Sequence, residues 1–162
     1  EPLLKASFAE QVKSMQRLEG LIEKMISDCL KEAGLLGQLK RCLKVEGIGF
    51  LTGARLIATF QRGEFRNSDA FIAFLGMDLR VNKSGQKDGR RSLSKRGDSE
   101  ARRLLHNAAM AASRTETWKA FYQAQRARGY STTQALVILA RKLARVVFAL
   151  LKGQSDYQPK VG

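Results

Sequence analysis

Only two prolines occur in the 162 residues, Pro2 and Pro159, and they bracket nearly the whole chain. Proline fixes φ and removes a backbone donor, so its absence leaves the interior free to run as uninterrupted helices. Apolar residues recur at helical spacing through most of that interior. Phe8, Val12 and Met15 lie four and three apart, and Leu18, Ile22, Met25 and Cys29 lie four, three and four apart. The step between the two sets is three, a slip in the heptad, and Gly20 interrupts the run. Residues 3–32 are therefore expected to form one coiled-coil-like helix. It either packs on its own domain or serves as a helical arm that pairs with another copy.

Gly34 and Gly37 break this pattern, and residues 38–45 resume it as a short helix. A turn on Gly47 and Gly49 leads into a helix carrying Ala54, Leu56, Ile57 and Phe60. After a loop over 61–67, Asn67 or Ser68 caps a helix over 69–75 that Gly76 ends. Asp98 or Ser99 caps a helix reaching Ser113, with Leu104, Leu105, Ala108, Ala109 and Ala112 on one face. Residues 117–128 form another helix, closed by Gly129. Ser131 or Thr132 caps the last, 133–152, whose stripe is Leu136, Leu139, Leu143, Val146, Val147 and Leu150 and which Gly153 terminates. No segment reads as a convincing strand, although residues 79–81 and 91–93 are short and β-tolerant enough for one small hairpin. The expected fold is mainly α: a coiled-coil-like arm over 1–37, a compact helical domain over 38–158 and a loose tail over 159–162.

The net charge is +14 and the pI about 10.3. Such an excess makes a polyanion, usually nucleic acid, the expected partner. The excess is local: residues 1–46 carry eight basic and seven acidic groups, whereas residues 80–103 carry nine against three and residues 104–162 nine against two. No apolar run approaches the ~20 residues of a spanning helix and no signal peptide is visible, so no membrane partner is expected. Cys29, Cys42 and the lone His106 form no metal pattern. No metal is expected in this chain, and both cysteines read as reduced thiols of a cytoplasmic protein. The first residue is Glu1 rather than Met, which suggests a piece of a longer protein.

Three stretches could carry function. VEGIGFLTG, residues 45–53, has the form of a helix-hairpin-helix, in which Gly47 and Gly49 let a phosphate approach the free N–H groups of the next helix. The same pattern also serves as a tight helix–helix turn that binds nothing. Arg102 and Arg103 fall in the first turn of the helix beginning near Ser99, close to Lys95 and Arg96, a plausible phosphate seat. Between them runs KSGQKDGRRSLSKRG, residues 83–97, with Lys83, Lys87, Arg90 and Arg91 beside Ser84, Ser92 and Ser94. Cations of this kind stabilise charge developing on a transferring phosphoryl group. A serine also needs its proton removed, and no general base is evident. The carboxylates of the second half, Asp88, Asp98, Glu100, Glu116 and Asp156, are not spaced as a metal-binding pair.

The runs VEGIGFLTGARLIATF, RGEFRNSDAFIAFLGM and KSGQKDGRRSLSKRGDSEARRLLHNAAMAA, in this order, resemble the C-terminal domain of bacterial insertion-sequence transposases related to the pilin-gene invertase, which include bridge-RNA-guided recombinases. The resemblance covers about residues 38–158. It implies that Ser84, followed by Gly85, attacks DNA and forms a covalent phosphoserine link. It implies that Lys95, Arg102 and Arg103 lie near nucleic acid, and that an upstream RuvC-like domain with a DEDD carboxylate set holds divalent metal. It also implies DNA as partner, admits a guide RNA as a second one, and makes the N-terminal helix the route to a dimer or tetramer in the bacterial nucleoid. The sequence departs from the family pattern at Glu46, where a proline is usual, and in Gly76-Met77-Asp78-Leu79, which lacks one. A helix-hairpin-helix binder without chemistry, and a structural dimer module, are the readings that remain beside it.

Overall fold

The computed structural model describes residues 1–81, 91–94 and 96–159. The chain divides into two compact units, Glu1–Leu36 and Gly37–Gly162. The first is a single helix, α1 (Pro2–Glu32), with proline at its first turn, where the missing donor costs nothing. Gly34 closes it in the left-handed region, with Gly34 N–H donating to Lys31 O and Leu35 N–H to Leu30 O. Phe8, Val12, Met15, Leu18, Ile22 and Met25 are all exposed, so the stripe seen in the sequence is an uncovered apolar edge.

The second unit contains six helices and one two-stranded antiparallel sheet among the described residues. These are α2 (Leu36–Leu43), α3 (Phe50–Gln61), α4 (Ser68–Phe74), β1 (Leu79–Val81), β2 (Arg91–Leu93), α5 (Ser99–Ala112), α6 (Glu116–Ala127) and α7 (Thr132–Gly153). The mainly α expectation holds, and the two β-tolerant triplets do pair as a hairpin. Three helix starts follow from local side chains. Asn67 accepts from Ala70 N–H, Asp98 accepts from Glu100 and Ala101 N–H, and Ser131 forms a capping box with Gln134. The last stop differs from expectation. Gly153 stays helical and Gln154 takes the left-handed conformation after it.

The core is organised around α7, which packs against α3, α4, α5 and α6. Its buried face is wider than the six-residue stripe in the sequence: Ala135, Ala140, Ala144, Phe148 and Leu151 are buried too, and Val146 is only half-buried. Alanines at helix contacts let the axes approach closely, which apolar spacing alone does not reveal. At one end of α7, Phe148 joins Phe60, Phe65 and Phe71, with Phe65 and Phe71 edge-to-face at 5.1 Å and Phe71 5.5 Å from Phe148. Cys42 is fully buried, and burial pushes its thiol up to about 11, so it acts as a small apolar filler.

The turn between α2 and α3 separates its two glycines. Gly47 has φ +91, and a Cβ there would lie 2.5 Å from the Ala108 carbonyl oxygen and 2.7 Å from Ala112 Cβ. Its lack of a side chain is thus spent on seating the turn against α5. Gly49 has nothing within 4 Å of a Cβ position and faces open space. We expect Gly47→Ala to lower unfolding stability by more than ~1 kcal/mol and Gly49→Ala by less than that, as measured by urea titration of both variants.

Candidate nucleic-acid interface

The hairpin that carries the basic loop is fastened at its foot by backbone contact. Gly76 (φ +70) follows α4, and a Cβ there would lie 2.7 Å from both the Arg96 carbonyl oxygen and Arg102 Nη1. Gly97 (φ +140) lies against the Phe74 carbonyl oxygen, and a Cβ there would come within 3.0 Å of Gly76 N. The entering and leaving chains therefore cross with no side chain between them, which only glycine permits at these φ values. Above the crossing, Ser94 N–H donates to the Asp78 carbonyl oxygen at 3.0 Å and the Ser94 hydroxyl donates to the Asp78 carboxylate. The strands then pair Leu79 with Leu93, Arg80 with Ser92 and Val81 with Arg91.

Asp98 extends this fastening into the helical body. One carboxylate oxygen caps α5, accepting from Glu100 and Ala101 N–H at 3.1 Å, and the other accepts from the Arg55 guanidinium of α3 at 2.6 Å. Burial alone would raise the Asp98 pKa, but the Ala101 N–H and Arg55 outweigh it and hold the carboxyl below its usual range. Arg102 reaches back from α5 to the Leu75 carbonyl oxygen at 3.2 Å. Helix α3, the end of α4, the hairpin foot and the start of α5 are thus joined by two arginines, one carboxylate and two glycines.

The residues singled out in the sequence are distributed as follows. Lys83, Ser84, Gly85, Lys87, Arg90 and Lys95 lie outside the described residues. Arg91 stands on β2, and Arg96 is exposed just before the glycine crossing. Arg102 is half-buried and engaged with Leu75, whereas Arg103 is exposed and paired with Glu100 in a two-pronged contact of 2.5 and 3.0 Å. The hydrogen bond from Arg103 holds the Glu100 carboxyl below its usual range. Gly49 opens the N-terminus of α3, which has no side-chain cap. Gly47 abuts Ala108 and Ala112, six to ten residues along α5 from Arg102, so the open turn and the hairpin foot are separated by about 9–15 Å of helix. Sequence reasoning missed Arg55 and the Gly76–Gly97 crossing. The one local signal was Gly97 directly before the capping Asp98. Among the described residues no group of His, Cys, Asp and Glu side chains could hold a metal ion, and no helix is long and apolar enough to cross a membrane.

Because Asp98 titrates below its ordinary value in the folded chain, its contribution is fully present above the unfolded pKa of about 3.9 and is lost as pH falls through the lower folded value. Asp98→Asn should unfold at lower temperature than the parent chain at pH 7, and the gap should narrow as the pH is taken below the unfolded value of about 3.9, as read from melting curves across pH.

The profile described as "Transposase IS116/IS110/IS902 family" matches residues 39–123, a span that includes the turn, the hairpin and α5. Curated relatives agree. A "Probable family 20 transposase" of Pseudomonas aeruginosa is 30% identical over 151 residues, covering 90% of this chain and 44% of the relative. The "Transposase for insertion sequence element IS1111A" of Coxiella burnetii is 31% identical over 125 residues, 74% of this chain and 34% of that protein. The "Insertion element IS110 uncharacterized 43.6 kDa protein" of Streptomyces coelicolor is 28% identical over 117 residues, 71% of this chain and 29% of that protein. The chain spans less than half the length of these relatives.

Proposed function

From the premise that the chain belongs to the IS116/IS110/IS902 transposase family, we propose that it is the part of a DNA transposase that grips nucleic acid and supplies a serine nucleophile. The observation that supports this most is that Ser84 falls within the family match and, in sequence, between the two strands whose foot Gly76, Gly97 and Asp98 fasten. The serine oxygen attacks a phosphodiester phosphorus. One P–O bond to serine forms as one P–O bond to a sugar oxygen breaks, and the released oxygen takes up a proton. Since one phosphodiester replaces another, the step can reverse and rejoin a different end. A foot fastened in this way serves such chemistry by fixing where the chain leaves and re-enters the helical body. Exposed cations at the foot, Arg96 among them, stabilise the charge of the transition state.

A divalent metal belongs to this reading only through a carboxylate-bearing RuvC-like domain elsewhere in the full transposase. Its chemistry would be activation of the attacking or leaving oxygen. DNA is the proposed substrate, a guide RNA a further partner, and the bacterial nucleoid the place of action. The uncapped N-terminus of α3 beside the open Gly49 favours a second contribution, a helix-hairpin-helix grip on backbone phosphate. On its own that grip would make the chain a binding module without chemistry.

The two readings separate in the full-length transposase supplied with metal and a nicked substrate. Ser84→Ala should abolish the covalent protein–DNA adduct and strand transfer, while DNA binding of the 162-residue chain remains and weakens steeply with salt. Full strand transfer by Ser84→Ala would leave only the binding module.

The exposed edge of α1 is proposed to pair with that of a second copy, which would cover Phe8, Val12, Met15 and Ile22. Light scattering at tens of micromolar protein should give twice the chain mass, and Met15→Glu together with Ile22→Glu should return it to the monomer value.

A further inference from the structure

A cavity of about 400 Å³ lies beside the hairpin foot, and none of the roles assigned above uses it. Its walls come from four places: Leu79 and Leu93 of the hairpin, Gln125 near the end of α6, Tyr130 in the turn that follows, and the first turns of α7. The size falls within the roughly 300–1,000 Å³ range of small-ligand sites. The lining is mixed in a particular way. Val137 and Ile138 make an apolar wall, and Tyr130 stands at the cavity with its side chain partly open to solvent. Gln125, almost wholly buried, is a polar residue of the lining. Arg141 lines it too, and its Nε is buried with no hydrogen-bond partner among the described residues. Burial first, and Arg145 second, push the Arg141 pKa below its ordinary value, against the opposing pull of Asp69 and Asp78. An arginine stays charged under such a shift.

A buried donor without a partner is costly, so this arrangement favours a ligand that brings an acceptor. The apolar walls exclude a bare phosphate, and the amide and guanidinium exclude a purely aliphatic guest. A flat ring with an apolar face and a polar edge satisfies all of them at once. A nucleobase taken out of its stack has those properties. Position agrees with chemistry: Ser84 follows Leu79 by five residues, a span of at most about 18 Å.

We propose that this cavity receives an unstacked base of the DNA strand attacked by Ser84, with the ring against Tyr130 and the polar edge met by Gln125 and Arg141. The proposal rests on the transposase reading above. Holding a base outside the stack would fix the register of the strand, and therefore which phosphate lies before the serine.

The test compares two single-stranded DNA oligonucleotides of equal length, one of mixed sequence and one fully abasic, binding to the 162-residue chain at low salt. The mixed-sequence strand should bind about tenfold tighter, the scale of one base stacked on an aromatic side chain. Val137→Trp, which fills the cavity, should remove most of that increment and leave abasic binding unchanged. Tyr130→Ala and Arg141→Met should each remove part of it, and they carry the test if Val137→Trp does not fold. Equal affinity for the two strands, or a full increment in all the folded variants, overturns the base pocket while the nucleic-acid grip stands. Absence of binding to either strand overturns the grip and the pocket together. An increment seen with RNA of the same sequence and not with DNA overturns the assignment to the DNA strand.

Discussion

Burial of α7 is the constraint on which the rest of this domain depends. Leu139, Leu143 and Val147 are completely enclosed, and the helix touches α3, α4, α5 and α6. One rigid rod of about 33 Å therefore sets the positions of four others. Its two ends have different tasks. The Phe148 end closes the phenylalanine cluster, meeting Phe60 edge-to-face and Phe71 at a tilt, contacts that are short-ranged and directional. The Thr132 end carries Val137, Ile138 and Arg141 to the hairpin foot. Core packing and the geometry of the proposed pocket are thus properties of the same helix, and a change that tilts α7 moves both.

The amount of free positive charge is smaller than the composition suggests. Several cations of the second half are already engaged within the fold. Arg102 donates to Leu75, Arg103 to Glu100, Arg126 to Tyr130, Arg145 to Asp69 and Lys152 to Phe65. The exposed pairs among these hold their partners weakly, because solvent screens them. They can exchange a carboxylate for a phosphate at little cost. Arg102 cannot do so as readily, since it is half-buried and its removal would leave the Leu75 carbonyl and the Gly76 turn without their donor. The exposed cations and Arg102 therefore have different tasks: the former are available to exchange partners, and the latter holds the fold.

What the sequence disclosed depended on how far each signal travels along the chain. Caps are local: Asn67, Asp98 and Ser131 each act on an amide two or three residues away, and each was one of two adjacent candidates that the sequence offered. The helical periods were legible for the same reason. The difference between Gly47 and Gly49 was not, because it is decided by Ala108 and Ala112 of a helix that lies far along the chain. Arg55 was likewise silent until Asp98, 43 residues away, stood beside it. Phe65 sits in a stretch that reads as a polar loop and yet is buried, since the aromatic cluster recruits it from outside any helix. The cavity combines residues from the hairpin, α6 and α7, and no linear pattern joins them. Ser84 was legible through family resemblance alone, because no pattern of charge or spacing separates it from Ser92 and Ser94.

Helix α5 supplies the scale on which those parts can act together. Its first turn stands at the hairpin foot, and Ala108 and Ala112 support the turn that presents Gly49. The two places are about 9–15 Å apart along one helix axis. Successive phosphates of one strand advance by about 3.4 Å along a duplex axis, so that separation corresponds to roughly three to four nucleotides. A duplex strand held at the open turn would then reach the hairpin foot within that many nucleotides. Under the function proposed above, the helix would act as a ruler between grip and nucleophile, its length guarded at one end by the Asp98 cap and at the other by the close approach of Gly47.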